Sequence, residues 1–381
     1  MSQCFLNAPI QSVQRGCRGQ TRTAYGANSF RHAKLQAISS SKASRSSSFA
    51  GRSLHAKYSY KVARQQHPLA DAVTCQAAAE KMVIAVTGAT GLVGSRLVSR
   101  LSAQGHTVRV LTRNPDKARG KLPYARLRFY NIQQQLQEAL QGATGVVNLA
   151  GEPIATRWSA SLKREIKASR VTTTTNLAEA INGLPEADRP QVLCSASAVG
   201  YYGNSQNQTF NESSNSGGDY LAEVCRDWEA AAEQAKTKRV VIMRTGIVLA
   251  KEGGALAKML PIFNIFAGGP LGNGQQWCSW VHRDDLVNLY IEALQNSAFN
   301  GTYNATAPNP VRMSELCSSL GRVLGRPSWL PVPEFALQTL LGEGAQVVLE
   351  GQRVLPAKTQ EQGFKFSFDD VDTAVKDIVA T

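Results

Sequence analysis

Apolar residues recur along most of this chain in short blocks that alternate between two spacings. Residues 82–87 (MVIAVT) form a continuous β-branched run, and residues 92–103 repeat their apolar positions at helical spacing. Similar strand-like runs stand at 107–112, 127–130, 145–149, 192–195 and 239–243, with helix-like stretches at 133–140, 160–181 and 220–236. Strands alternating with helices of this length build βαβ units around a parallel sheet. Because the runs are continuously apolar, their strands are buried on both faces. The fold class expected is therefore α/β, a doubly wound parallel sheet of six or more strands. Past Val248 the rhythm breaks into a glycine-rich region. Residues 259–281, interrupted by glycines, prolines and amides, read as loops and not as a membrane span, which needs ~20 apolar residues. Blocks at 280–294, 302–305 and 313–324 follow. Leu330-Pro331-Val332-Pro333 then opens a small helical lobe over residues 330–381, placed over the carboxyl edge of the sheet.

The first 75 residues break the pattern. They carry 11 Lys+Arg, 15 Ser+Thr and one acid, Asp71. The remainder carries 31 Lys+Arg against 27 Asp+Glu, so +10 of the formal +14 sits in the first fifth of the chain. The basic balance is thus no argument for nucleic acid, which needs the charge on the folded body. A basic, Ser-rich segment without periodic hydrophobicity cannot bury enough apolar surface to fold. It lacks the apolar stretch of a secretory signal and has the composition of an organellar transit peptide. The tract at 39–48 (SSSKASRSSS) and the run Val73-Thr74-Cys75-Gln76-Ala77 resemble a chloroplast transit peptide and its processing site. A mitochondrial presequence and a disordered tail are the alternatives. The seven Cys are irregularly spaced, with only Cys194, Cys225, Cys278 and Cys317 beyond residue 75, which excludes a disulfide scaffold and a CxxC zinc site. With only His106 and His282 in the body, no multi-His metal centre is expected.

Thr87-Gly88-Ala89-Thr90-Gly91-Leu92-Val93-Gly94 sets three glycines between the first strand and the first helix. Gly88 permits the tight turn, Gly91 lets backbone approach a pyrophosphate, and Gly94 allows close helix–strand packing. The helix N-terminus directs free N–H groups at the anion. The second strand ends Leu111-Thr112-Arg113-Asn114, with Arg113 19 residues after Gly94 and no acid nearby. An acid there would bind the ribose 2′-hydroxyl of NAD; a guanidinium suits a 2′-phosphate, so NADP(H) is the cofactor expected. The alternative leaves Arg113 as a solvated loop residue.

These motifs, with Asn148-Leu149-Ala150-Gly151 and Ser197-Ala198-Val199-Gly200-Tyr201-Tyr202-Gly203, resemble the atypical extended short-chain dehydrogenase/reductases. Blocks at 219–229 (DYLAEVCRDWE), 244–249 (RTGIVL), 272–277 (GNGQQW), 307–311 and 349–356 (LEGQRVLP) narrow the resemblance. They are similar to the epimerase-like subfamily that includes SulA-like "cell division inhibitor" homologues and Giant Chloroplast-type plastid proteins of plants. The resemblance covers residues 82–380. It implies an NADP-binding epimerase-like domain over 80–329 and the subfamily's small C-terminal domain (DUF1731-like) over 330–381. It also implies NADP(H) contacts at Thr112, Arg113, Leu149, Ala150, Glu165, Arg170 and Val248, besides Gly88, Gly91, Leu92, Val93 and Gly94 of the turn. By sequence alone, Glu165 and Arg170 read as a solvated helix face.

The wider family uses a Tyr as proton donor or acceptor, a Lys four residues on that lowers the Tyr pKa, and a Ser that hydrogen-bonds the substrate oxygen. Here the resemblance points to Ser197 and Tyr220, but Val224 stands where the Lys belongs. Without that cation nothing obvious depresses a phenol. Ser197 reads equally as a hydroxyl satisfying backbone at a strand end. Tyr201 is the other candidate phenol, and His282 with Asp285 falls in a block resembling the substrate side, against the plainer reading of a structural His. Cys194 and Cys225 read as small buried hydrophobes, and Glu223 and Glu229 as helix-surface carboxylates.

Two functions follow as expectations. One is an NADP-dependent epimerase or oxidoreductase acting on a carbonyl or sugar-like small molecule in the chloroplast stroma. The other is an inactive dinucleotide-binding regulator or scaffold, associated peripherally with the stromal face of the inner envelope and linked to chloroplast division.

Overall fold

The computed structural model describes residues 80–380; the expected transit peptide lies outside the described residues. Seven strands form one sheet: β1 Val83–Thr87, β2 Thr107–Thr112, β3 Leu127–Asn131, β4 Gly145–Asn148, β5 Val192–Ala198, β6 Arg239–Thr245 and β7 Gly301–Ala305. All pairings are parallel, in the order β3-β2-β1-β4-β5-β6-β7. The order reverses between β1 and β4, and ligands of open α/β sheets bind outside the carboxyl ends of the strands at such a reversal.

Four of the helices cover the sheet: α1 Leu92–Ala103, α2 Ala160–Asn182, α3 Tyr220–Glu233 and α4 Arg283–Gln295. Pleating sends alternate residues to opposite faces. Ile84, Val86, Val108, Val110 and Val147 join Leu97 and Leu101 of α1 and Leu286 and Tyr290 of α4 in one core layer. Ala85, Leu111, Val146 and Leu193 face the other layer, with Leu177 and Ile181 of α2 and Ala232 of α3. Each of α2, α3 and α4 starts at a side-chain cap that accepts an amide of the first turn: Ser159 from Leu162, Asp219 from Ala222, His282 from Asp284.

Two helices depart from the sequence reading. Residues 259–281, expected as loops, begin inside a helix, Gly254–Asn264, that carries Pro261 in its interior. Burial of Leu256, Met259 and Phe263 on its inner face outweighs the poor propensity of proline. Pro115–Lys121 starts with Pro at its first position and the Asn114 side chain accepting the Lys117 amide, so it follows β2 at once. Among the described residues no helix is long and apolar enough to cross a membrane.

The C-terminal residues return to the sheet domain. Helices α5 (Met313–Leu324) and α6 (Val371–Ala380) share a core with Leu256, Met259 and Phe263. Arg353–Val354 pairs in parallel with Thr209–Phe210.

Candidate functional site

Two clefts open at the carboxyl ends of the strands. The outer one, about 620 Å³, is lined by the β1 turn (Thr87 to Gly91), the end of β2 (Leu111, Thr112, Arg113) and Leu149 to Glu152 after β4. Gly88 has φ +64, and a Cβ there would lie 2.5 Å from the Leu149 carbonyl oxygen, so only glycine lets the two loops meet. A Cβ on Gly94 would lie 2.2 Å from the Gly88 carbonyl oxygen. Gly94 is thus the packing point of α1 on β1, beneath the cleft and not in its lining. The floor is a buried hydrogen-bond chain. Thr87 Oγ1 donates to Asn148 Oδ1 (2.7 Å), whose Nδ2 donates to Thr174 Oγ1 (2.7 Å) and Ser195 Oγ (3.3 Å). The first turn of α1 holds no acid, which leaves its positive end open to an anion. Arg113, placed at the rim by the end of β2 and the Asn114 cap, points its Nη2 at Glu152 Oε1, 3.3 Å away.

The inner cleft, about 370 Å³, adjoins at Arg170 and is mostly apolar, with Ile154, Val224, Trp228 and Ile247 among its walls. Arg170 Nη2 donates to the Glu152 carbonyl (2.9 Å), its Nη1 donates to the Ile166 carbonyl (3.0 Å), and its guanidinium lies over the Trp228 ring. Ser197, at the end of β5, lines this cleft. Its Oγ donates to Glu229 Oε1 at 2.6 Å, inside a buried network. Arg244 of β6 grips Glu229 at both oxygens (2.9 and 2.7 Å) and donates to the Tyr202 hydroxyl (3.0 Å), which donates to Asn304 Oδ1 (2.7 Å). Burial disfavours the Arg244 charge, but the bonds to Glu229 outweigh it and hold the guanidinium well above its ordinary range. Glu229, read as a surface carboxylate, is 7 % exposed and is a core ion; its partner comes from another element, which helical spacing cannot reveal. With its hydroxyl hydrogen pointed at Glu229, Ser197 turns lone pairs and not a donor toward the cleft.

The other expected catalytic groups stand elsewhere. The Tyr220 hydroxyl donates to the Lys163 carbonyl at 2.5 Å, its ring lies edge-on to Trp158, and the side chain is outside the lining of both clefts. Burial pushes its phenol up, against the pull of Lys163 and Arg170. Tyr201 carries the Arg244 guanidinium 3.3 Å above its ring and also lies outside both linings. Buried His282 caps α4 through Nδ1 and lies 4.0 Å from the Phe368 ring; burial lowers its pKa. Asp285 accepts the amides of Ser367 and Phe368, both at 2.9 Å. These two residues fasten the C-terminal segment and line neither cleft. Of the remaining expected cofactor residues, Thr112, Arg113, Leu149 and Ala150 line the outer cleft with Gly88 and Gly91. Leu92 lies against residue 253, Val93 and Val248 pack on the main core, and Glu165 is exposed on α2. Sequence reading missed Glu152, whose signal was its place directly after Asn148-Leu149-Ala150-Gly151, and the inner-cleft lining by Gln346, Val347 and Glu350 to Gln352.

A doubly wound sheet with a glycine turn at its reversal defines a dinucleotide-binding protein of the short-chain dehydrogenase type. Residues 84–306 match the model of the NAD dependent epimerase/dehydratase family, and residues 332–378 match a domain of unknown function, DUF1731. The chain belongs to the NAD-dependent epimerase/dehydratase family. It is 55% identical over 311 residues to the chloroplastic epimerase family protein SDR39U1 homolog of Arabidopsis thaliana, covering 81% of this chain and 90% of that one. It is 32% identical to the human epimerase family protein SDR39U1 crystallised with NADPH, at a TM-score of 0.72 over 79% of this chain and all of that one. A Bacillus cereus UDP-glucuronic acid 4-epimerase, solved with its nucleotide sugar and NAD, shares the fold at 17% identity and a TM-score of 0.64, over 78% of this chain and 98% of that one.

Proposed function

We propose that the protein is an NADP(H)-dependent reductase or epimerase of the plastid, acting on a carbonyl or sugar-like small molecule. The outer cleft carries this reading: a bare glycine turn, an acid-free helix N-terminus and Arg113 at its rim suit a pyrophosphate and a 2′-phosphate together. The NADPH found in the human relative supports it. When bound, the dinucleotide supplies a hydride donor or acceptor. Gly88 and Gly91 admit its phosphates, Thr112 and Arg113 read its ribose phosphate, and Arg170 braces the turn between the clefts. Glu165 and Val248 enter the reading through the family pattern alone. The chloroplastic relative supports a plastid location, which a reporter fused to residues 1–75 tests.

One observation favours a second reading, a dinucleotide-binding regulator or scaffold at the inner envelope with a part in chloroplast division. Val224 replaces the family Lys, and the Tyr220 hydroxyl is spent on a backbone carbonyl. The deciding experiment titrates NADPH and NADH into the full chain and then follows NADPH oxidation against a panel of carbonyl compounds. Stoichiometric NADPH binding with turnover is the expected outcome. Binding without turnover of any compound selects the regulator, and absence of NADPH binding sinks both.

A further inference from the structure

Elimination among the side chains of the inner cleft isolates one proton carrier. Tyr220 is outside the lining, and the Ser197 hydroxyl donates its hydrogen bond to Glu229. The Cys225 thiol, pushed up to about 12 by burial, lies against the Ala198 carbonyl. Asp219 spends a carboxylate oxygen on the Ala222 amide as the cap of α3, and Arg170 is held by two backbone carbonyls. Glu350 remains. Its carboxylate makes no hydrogen bond or ion pair with any described residue, and it stands at an exposed position of the lining, beside Gly351 and Gln352. Arg312 and Arg353 are nearby cations, but both lie on the Trp277 ring and neither is among the lining side chains.

We propose that Glu350 is the proton-transfer group of the inner cleft, and that the ligand there presents a carbonyl or hydroxyl to it. The inference rests on the dinucleotide reading above. Partial burial, and then the charge of Asp219, raise the Glu350 carboxyl above its ordinary range, so it holds its proton to a higher pH than a free carboxyl does. In reduction, bound NADPH would supply a hydride with its two electrons to the carbonyl carbon and would itself be left oxidised. The C=O π bond breaks, and the oxygen takes the Glu350 proton. The carboxylate is reprotonated from water at the rim, and oxidation reverses each transfer. A cleft of about 370 Å³ walled by Ile154, Val224 and Ile247 suits a small, weakly polar body behind that group.

The test uses dead-end complexes, so binding is read without chemistry. Cyclohexanone is titrated into the full chain loaded with NADP⁺, and cyclohexanol into the chain loaded with NADPH, from acid to neutral pH. A protonated Glu350 donates to the ketone, whereas its carboxylate accepts from the alcohol. Ketone affinity should therefore fall, and alcohol affinity rise, as pH passes upward through the Glu350 pKa, each by about 2- to 10-fold. Glu350→Gln should flatten both profiles. Asp219→Asn, which still caps α3, should shift both to lower pH. A flat wild-type profile, the same dependence in Glu350→Gln, or failure of both probes to bind overturns the proposal. Parallel NADPH titrations separate the two readings: if NADPH binds and the profiles are flat, only the role of Glu350 falls.

Discussion

Arg113 and Glu152 confront each other at the rim of the outer cleft, and a 2′-phosphate would have to compete with that carboxylate. A charge-assisted hydrogen bond contributes about 1.5–3 kcal/mol. The Arg113 side chain is 79% exposed, so screening favours the lower end. Arg113→Ala should weaken NADPH by about 10-fold. Glu152→Gln removes a like charge and frees the guanidinium, so it should tighten NADPH by about 2- to 5-fold. NADH, with no phosphate there, should change in neither variant. Titrations of both dinucleotides at fixed salt check this, and equal shifts for NADPH and NADH would remove Arg113 as the selector. At this scale the sequence was legible where a residue's conformation is its function: Gly88 announces a positive φ, and Gly94 a contact only a hydrogen allows. Glu229 was not legible. It looks like any helix carboxylate until β6 brings Arg244 against it, a pairing that depends on how two elements dock.

Among the elements, α1 and α4 are tied by one carboxylate. Asp284 accepts from Arg96 Nε (2.9 Å) and Nη2 (2.6 Å) and from Arg100 Nη2 (2.7 Å), both on α1. Burial works against the charge of Asp284, but the two guanidinia outweigh it and hold the carboxyl well below the usual range. With a depressed folded pKa, the stabilisation is fully present above the unfolded value of about 3.9 and is lost as pH falls toward the folded value. Both arginines are about a third exposed, so the clamp contributes about 1 kcal/mol. Asp284→Asn should lower the urea midpoint at neutral pH, and the gap to wild type should close in strong acid. A gap of constant size would deny the carboxylate this role. The strands and α1, α2 and α3 were visible from spacing, to within a few residues, because their apolar stripes face a core. Gly254–Asn264 was hidden by Pro261 and the adjoining glycines, since its helicity comes from tertiary burial and not from local preference.

For the molecule as a whole, the open question is whether the break in rhythm at residue 330 marks a part that the sheet domain can do without. The segment beyond it supplies Gln346, Val347 and Glu350 to the inner cleft, and the Leu355 carbonyl that accepts from Asn304 of the buried network. Its helix α6 lays Val371, Val375 and Ile378 against Leu316 and Leu320 of α5. Burying three side chains of this size stabilises by roughly 5–9 kcal/mol at about 1.5–3 kcal/mol each. That is comparable with the whole stability of a natural domain, about 5–15 kcal/mol. A chain ending at residue 329 would expose this core, leave Asp285 without the Ser367 and Phe368 amides, and open one wall of the inner cleft. It should therefore show no cooperative thermal transition and collect in the insoluble fraction, where the full chain unfolds in one step. A soluble monomer of residues 1–329 that melts cooperatively and binds NADPH as the full chain does would show the lobe to be dispensable. The sheet domain and its outer cleft would then stand without the lobe, whose part would be confined to the inner-cleft wall that Gln346, Val347 and Glu350 supply.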